Sequence, residues 1–280
     1  MSTNRPSSDA SLPGAELSVR KMPGHWLLAR LGTRVLRPGG LELTRRLLTN
    51  LAIGSADDVV ELAPGLGTTA TLILDGQPAT YRGVERDEAA ANYARRAIGP
   101  GASVQVLVGD AEATGLPEGS ASAVIGEAML TMQPQAHKAA IVAEAARLLR
   151  PGGRYGVHEL AIVPDDVPDH VRQEIDNALS SAIHVGARPL TEAAWRALFE
   201  GAGFTNLKVD FAPMHLLEPR RLIADEGLAR TLLFAIRVVL NREARQRVLT
   251  IRHIFRKHGH RLRAIAIVGQ KSGHSGSAPA

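Results

Sequence analysis

The chain has no cysteine. Disulfides, thiolate metal sites and a cysteine nucleophile are therefore excluded, and a reducing compartment suits it. Aromatic residues are scarce, at 4% of the total, so no flat-ring cage for a ligand stands out. No uninterrupted apolar run approaches the ~20 residues that a membrane span requires. The opening Met1-Ser2-Thr3-Asn4-Arg5-Pro6-Ser7-Ser8 is polar and lacks the apolar core of a secretion signal, so a cytoplasmic protein is expected. Carboxylates are almost missing from one stretch. Between Arg237 and Arg263 stand nine Lys/Arg residues and a single carboxylate, Glu243, which makes that segment +8. The whole chain carries +5, leaving about −3 elsewhere, so the basic character belongs to this segment alone.

What is present fits one sizeable α/β domain with an appendage: 280 residues, 45% of them apolar. Residues 1–18 are rich in Ser and Pro and 272–280 in Gly and Ser, so both ends are expected to be loose. The domain is expected over 19–271. It opens with N-terminal helices within 19–54, one entered after Pro23 and one over 41–51. Strands at 59–62, 80–85, 104–108, 123–127 and 154–160 then alternate with helices, one of them capped by Asp87. This alternation predicts a mostly parallel sheet covered on both faces. Two more helices, a strand at 206–211, a helical insert within 213–260 and a last strand at 262–268 complete the pattern. Within that insert, 221–258 reads as wholly helical.

The organising stretch is Asp58-Val59-Val60-Glu61-Leu62-Ala63-Pro64-Gly65-Leu66-Gly67-Thr68-Thr69-Ala70. A short strand ends in a carboxylate, a glycine turn follows, and a helix begins that Thr68 or Thr69 could cap. Taken alone, Gly65-x-Gly67-x-x-Ala70 also fits the loose fingerprint of dinucleotide binders. In an open parallel sheet, ligands bind beyond the carboxyl ends of the strands. Polar residues collect at those ends: Glu61, Glu85, Asp110, Glu127, then His158 with Glu159. Glu85 follows Gly67 by eighteen residues, close to the usual spacing of a carboxylate that grips ribose hydroxyls. Such an acidic crevice favours a ligand with hydroxyls, an amine and a positive charge over one carrying pyrophosphate.

Four segments in order carry a resemblance. They are Glu61-Leu62-Ala63-Pro64-Gly65-Leu66-Gly67, Gly83-Val84-Glu85, Gly109-Asp110-Ala111-Glu112 with Leu116-Pro117, and Leu148-Leu149-Arg150-Pro151-Gly152-Gly153. Together they resemble class I S-adenosylmethionine-dependent methyltransferases, and within these the small-molecule branch that includes quinone-biosynthesis C-methyltransferases. The resemblance covers about 55–160, with Ala202-Gly203-Phe204 and the final strand. It implies a Rossmann-like, seven-stranded sheet whose last strand is antiparallel, and S-adenosyl-L-methionine as cofactor. It also implies roles. Glu61 and the turn from Ala63 through Gly65 to Gly67 would lie near the methionine part, Glu85 on the ribose, and Arg86 beside the adenine. Asp110 and Ala111 would meet the adenine edge, and the backbone at Glu127 the amino group. At Ala63 a glycine is more usual; alanine resists a positive φ, so a slightly different turn is expected there.

Methyl transfer from a sulfonium needs alignment and exclusion of water, and a base only if the acceptor must lose a proton. His158, at the end of the fifth strand, is the first candidate base and His184 the second. Arg188 could hold an acidic acceptor group, and Trp26 could lie over a ligand. His253, His258 and His260 lack carboxylate neighbours in sequence and mark no metal site. The acceptor is expected to be a small molecule. A nucleic-acid acceptor would suit the basic segment, but Gly126-Glu127-Ala128-Met129 stands where an Asn/Asp-Pro-Pro-aromatic sequence would be needed. A nicotinamide-dependent oxidoreductase would place its glycine turn nearer the start and append a catalytic domain. The apolar run at 232–240 suits a buried helix or a homodimer contact. The basic helix after it suits an anionic membrane surface or a solvated face.

Overall fold

Short apolar strands that alternate with amphipathic helices bury their surfaces best as a parallel sheet with helices on both sides. The computed structural model, which describes residues 12–14, 16–35 and 37–273, has this arrangement. Helices α1 (Gly24–Leu31) and α2 (Gly40–Leu51) come first. Then follow β1 (Asp58–Leu62), α3 (Thr68–Asp75), β2 (Thr80–Glu85), α4 (Glu88–Ile98), β3 (Val104–Val108) and β4 (Ala121–Glu127). The second half runs α5 (Gln135–Leu148), β5 (Leu149–Ile162), α6 (Asp169–Ile183), β6 (Leu190–Thr191), α7 (Glu192–Gly201) and β7 (Phe204–Pro213). Three helices, α8 (Pro219–Glu226), α9 (Leu228–Leu240) and α10 (Arg242–Lys257), precede β8 (Leu262–Lys271).

The strands lie in the order β3-β2-β1-β4-β5-β8-β7, with β8 antiparallel to both of its neighbours and the others parallel. The two-residue β6 adds an eighth strand by pairing with the end of β5, a small addition to the seven expected. From β1 the chain steps outward to β2 and β3, then returns to the other side of β1 as β4. The strand order therefore reverses between β1 and β4, and a crevice opens at their carboxyl ends.

Three apolar clusters hold the layers. On one face α2 places Leu43, Leu47 and Leu51, four residues apart, against the sheet with Tyr81, Ala91 and Ala94. Gly156 of β5 permits this approach, since a Cβ there would stand 2.8 Å from Leu47 Cδ1 and 2.9 Å from Leu51 Cδ1. On the other face Tyr155 stacks on Phe199, with ring centroids 5.2 Å apart and Trp195 in the same cluster. A third cluster, built from α1, α6, α9 and α10, gathers Leu27, Leu28, Leu179, Phe234, Ile251 and Phe255 around the far ends of β5 and β8.

Several boundaries differ from the sequence reading. The stretch 221–258 is three helices. Gly227, at φ 79°, ends the first, and Asn241 caps the third by accepting a 2.9 Å bond from the Ala244 amide. α9 is not a buried helix: only Phe234 is buried, and most of its large apolar side chains face outward. β5 is longer than expected at both ends: Leu149 pairs with Ala121 of β4 at its start, and β8 pairs with it as far as Ile162. Within 1–18, residues 12–14 and 16–18 are described; the chain turns there and Leu17 packs against the third cluster. Residues 1–11 and 15, and 274–280 of the expected loose tail, lie outside the described residues. Among the described residues no helix is long and apolar enough to cross a membrane.

Glu159 fixes the loop that follows β4. Fully buried, it accepts bonds from the amides of Met129 (2.9 Å), Leu130 (2.7 Å) and Thr131 (3.0 Å), and from the Thr131 hydroxyl (2.6 Å). Glu159→Ala would strand those donors, at ~1–3 kcal/mol for each one left unsatisfied. A clear fall in the denaturation midpoint is expected. An unchanged midpoint would show that the loop holds itself.

Candidate active site

The turn after β1 carries three left-handed residues: Ala63 (φ 55°), Gly65 (φ 54°) and Gly67 (φ 72°). Ala63 keeps the conformation a glycine would favour, contrary to the altered turn expected from its side chain. Its amide donates to Val84 O at 2.8 Å, which locks it to β2. At Gly65 an added Cβ would meet nothing closer than Ala63 O at 3.9 Å, so the peptide faces open space. Neither threonine caps α3. Gly67 occupies the cap, Thr68 donates to Arg34 O at 3.3 Å, and Thr69 bonds Glu127. Asp87 does cap α4, accepting from the Ala90 amide at 2.9 Å.

This turn walls one end of a cavity of about 600 Å³, within the size range of small-molecule sites. Glu61, Ala63, Gly65, Glu85, Arg86, Asp110, Ala111 and Glu127 all line it. Gly67, the last residue of the turn, does not; its Cα faces Ala94 and Ala97 of α4. Glu61 is buried at the end of β1, and Tyr81 donates to its Oε2 at 2.6 Å. Burial pushes its pKa up to about 7, against the pull of the Tyr81 bond and of Arg37, and nearby Glu85 pushes the same way as burial. Glu85 is also raised by burial, though it is held by the amides of Gly65 and Asp87, both at 3.1 Å. Asp110 sits at the exposed lip, and its Oδ1 accepts from the Glu112 amide at 2.9 Å.

Next to Glu61 is a polar cluster that the sequence reading found only in part. Arg37, from the segment between α1 and α2, reaches Glu127 and Thr69 with one guanidinium nitrogen. The side chains of this pair are nearly buried, at 7% and 6% exposure. Burial lowers the Arg37 pKa to about 10, while Glu61, Asp225 and Glu226 oppose the shift, so it stays charged at neutral pH. Glu127 Oε1 takes a 2.7 Å bond from Thr44 and lies 2.9 Å from His158 Nδ1. Arg37 and Thr69 both line the cavity. The result is a cation beside an anion, both fixed, at the end of β4.

The expected bases are placed elsewhere. His158 is fully buried behind Glu127 and does not line the cavity. Burial, reinforced by Arg37, lowers its pKa to about 3; set behind Glu127 and off the cavity wall, it orients Glu127 and meets no bound molecule. His184 ends α6 in a left-handed conformation, exposed and outside the cavity. Arg188 is exposed as well; its amide donates to Thr131 O at 2.7 Å and its carbonyl accepts from Lys138 Nζ at 2.8 Å, so its backbone is structural. Trp26 does line the cavity, its ring 4.6 Å from that of His25. His25 is the histidine on the cavity wall, and burial lowers its pKa to about 4. No spacing in the sequence marks His25 or Arg37; the one signal was the neighbouring tryptophan. Among the described residues no group of His, Asp and Glu could hold a metal.

Away from the carboxylates the wall is apolar: Leu28, Met132, Leu179, Ile183, Met214 and Phe255, from α1, the loop after β4, α6, the segment after β7 and α10. One end of the cavity thus offers carboxylates, an arginine and open peptide. The other offers hydrocarbon and one neutral imidazole.

A family model described as a methyltransferase domain matches residues 59–153. An uncharacterized protein of Haemophilus influenzae is 36% identical over 251 residues, covering 89% of this chain and 98% of that one. Among solved structures, phosphoethanolamine N-methyltransferase 2 of Haemonchus contortus, in complex with S-adenosyl-L-methionine, has a TM-score of 0.70. Its identity is 13%, over 97% of this chain and 61% of that one. The [4+2]-cyclase SpnF has a TM-score of 0.65 at 15% identity, over 88% and 93% of the two chains. These two likenesses are of fold.

Because Glu61 loses its proton only near pH 7, the negative charge facing a cationic ligand forms in step with pH. Affinity for S-adenosylmethionine is expected to rise between about pH 5.5 and 7.5, and binding near pH 6.5 to release protons, since the ligand lowers the Glu61 pKa. Calorimetry in buffers of different ionisation enthalpy reads both effects. Glu61→Gln should remove the proton release; its persistence in that variant would assign it to another group.

Proposed function

The chain belongs to the class I S-adenosylmethionine-dependent methyltransferases, and we propose that it methylates a small, largely apolar acceptor held against α1, α6 and α10. One observation carries the reading: a single cavity joins a charged, peptide-lined end to a hydrocarbon-lined end. An adenosyl ligand in the charged end leaves the apolar end for the second reactant. When bound, S-adenosylmethionine supplies a methyl group on a sulfonium, an electrophile that needs no further activation.

The residues of the charged end match the cofactor group by group. Glu127 and Arg37, held side by side, suit the amino and carboxylate groups of the methionine part. Glu61, once ionised, favours the neighbouring positive charge. Glu85, with its carboxylate steadied by the Gly65 and Asp87 amides, suits ribose hydroxyls. Asp110, Ala111 and Arg86, on the cavity wall, suit an adenine. Pyrophosphate would meet Glu61, Glu85 and Glu127 with like charge, which argues against a nicotinamide cofactor.

The apolar end aligns the acceptor and excludes water, which can supply ~7–11 kcal/mol of the barrier reduction. His25 is uncharged at neutral pH and, although burial weakens it as a base, can take the proton that a hydroxyl, thiol or activated carbon releases as the new bond to methyl makes it acidic. Arg188 lies outside, so an acidic acceptor group finds no partner in it. An apolar ring or chain of the kind that quinone-biosynthesis C-methyltransferases use fits this lining.

Two measurements follow. Incubated with a cell extract and cofactor labelled in the methyl group, the enzyme should place label in the organic-solvent phase. Label confined to RNA or to water-soluble amines would contradict an apolar acceptor. With the acceptor in hand, His25→Ala should lower kcat by ~10²–10⁴-fold while leaving affinity for S-adenosylhomocysteine unchanged. Undiminished turnover would leave alignment alone as the source of catalysis.

A further inference from the structure

The cavity accounts for one face of the helical layer above the sheet, but nothing among the described residues covers the outer face of α9. Leu228, Leu232, Ile236, Val239 and Leu240 recur at three- and four-residue steps, so they share one side of the helix. Leu228, Val239 and Leu240 are 71%, 63% and 80% exposed. Of the large apolar side chains exposed among the described residues, most lie on α9, and the neighbouring helices α10 and α8 add Leu249 and Ile223. Scattered single exposures are ordinary; this concentration is not.

The border of the patch is basic. On α10, Arg242, Arg245 and Arg256 are exposed and have no carboxylate partner among the described residues. The acidic groups that could neutralise them are engaged elsewhere: Glu243 with Arg20 at 2.9 Å, Glu226 with the amide of Val35 at 2.8 Å, and Glu174 with Lys257 at 3.1 Å.

We propose that the outer face of α9 and α10 docks on an anionic lipid bilayer, with the α9 leucines entering the hydrocarbon boundary and the α10 arginines meeting the headgroups. Charge decides the occupant. A second copy related by a two-fold axis would bring one basic border against another, a like-charge contact with no acid to relieve it. A nucleic acid would satisfy the arginines and leave the leucines in water. An anionic bilayer satisfies both at once. The mode is interfacial, because no helix among the described residues is long and apolar enough to span.

The same layer links this face to the site. Ile251 and Phe255, on the inner side of α10, line the cavity. Docking through the outer side sets the apolar end of the cavity close to the bilayer, from which an apolar acceptor could enter. Docking itself does not depend on the acceptor's identity, and its test uses no turnover.

The test is co-sedimentation of the full chain with vesicles of phosphatidylcholine alone or with one quarter phosphatidylglycerol. The expected result is pelleting with the anionic vesicles, little with the neutral ones, and weakening in high salt. Leu232→Glu with Ile236→Glu should lower vesicle affinity more than tenfold while S-adenosylhomocysteine still binds, which shows that the fold is intact. Arg242→Glu with Arg245→Glu should abolish the preference for anionic lipid. The proposal is overturned if the wild type stays in the supernatant, or if the leucine-face variant binds vesicles as the wild type does. It is equally overturned if the wild type is a dimer in solution that this variant splits, for then a second copy covers the face.

Discussion

Ionisable side chains are buried together where β1, β4 and β5 end, and their mutual satisfaction is the constraint on which the site depends. Glu61, Glu127, Arg37, His158 and Glu159 are all nearly or fully withdrawn from water. A carboxylate or guanidinium so placed costs several kcal/mol unless partners replace its hydration. Each has such partners here: Tyr81 for Glu61, Arg37 with Thr44, Thr69 and His158 for Glu127, three amides and a hydroxyl for Glu159. Glu61, on the cavity wall, has one side-chain donor, and burial still raises its pKa to about 7, so its negative charge is short of compensation. That shortage favours a cationic ligand in the crevice.

The architecture delivers those groups to one place. Because the sheet reverses its order between β1 and β4, the turn at Ala63–Gly67, Glu85 of β2 and Glu127 of β4 converge on the same space. The helices outside the sheet contribute what the sheet cannot. The segment before α2 brings Arg37 over the crevice, and α1, α6 and α10 close it with hydrocarbon. The methyltransferase domain thus supplies the charged end, and on the proposed function the helical layer selects the acceptor. SpnF, a cyclase of similar fold, shows that such a core alone does not name the reaction.

Much of this was legible in the sequence for physical reasons. The alternation of short apolar runs with helical stretches fixed the sheet, and the carboxylates fell at strand ends because ligands bind there. His158 misled because neighbouring residues of a strand point to opposite faces. Glu159 faces the cavity, whereas His158 turns toward α2, and no local pattern tells which of the two does so. His25 and Arg37 were silent because they enter from helical and irregular segments whose position over the sheet is set by tertiary packing. The break at Asn241 was hidden inside an unbroken helical pattern; a capping side chain decided it. At Ala63 steric preference gave way to the bond with Val84, and the turn kept its shape.

On the proposed function, the reacting sulfur lies where the charged and apolar ends of a single cavity meet. A crystal structure of the protein with S-adenosylhomocysteine tests it directly. The expected result is an amino-acid moiety between Arg37 and Glu127, a ribose on Glu85, and a sulfur open toward His25 and the apolar wall. An adenosyl group buried in the apolar end, or a sulfur facing away from it, would contradict the account.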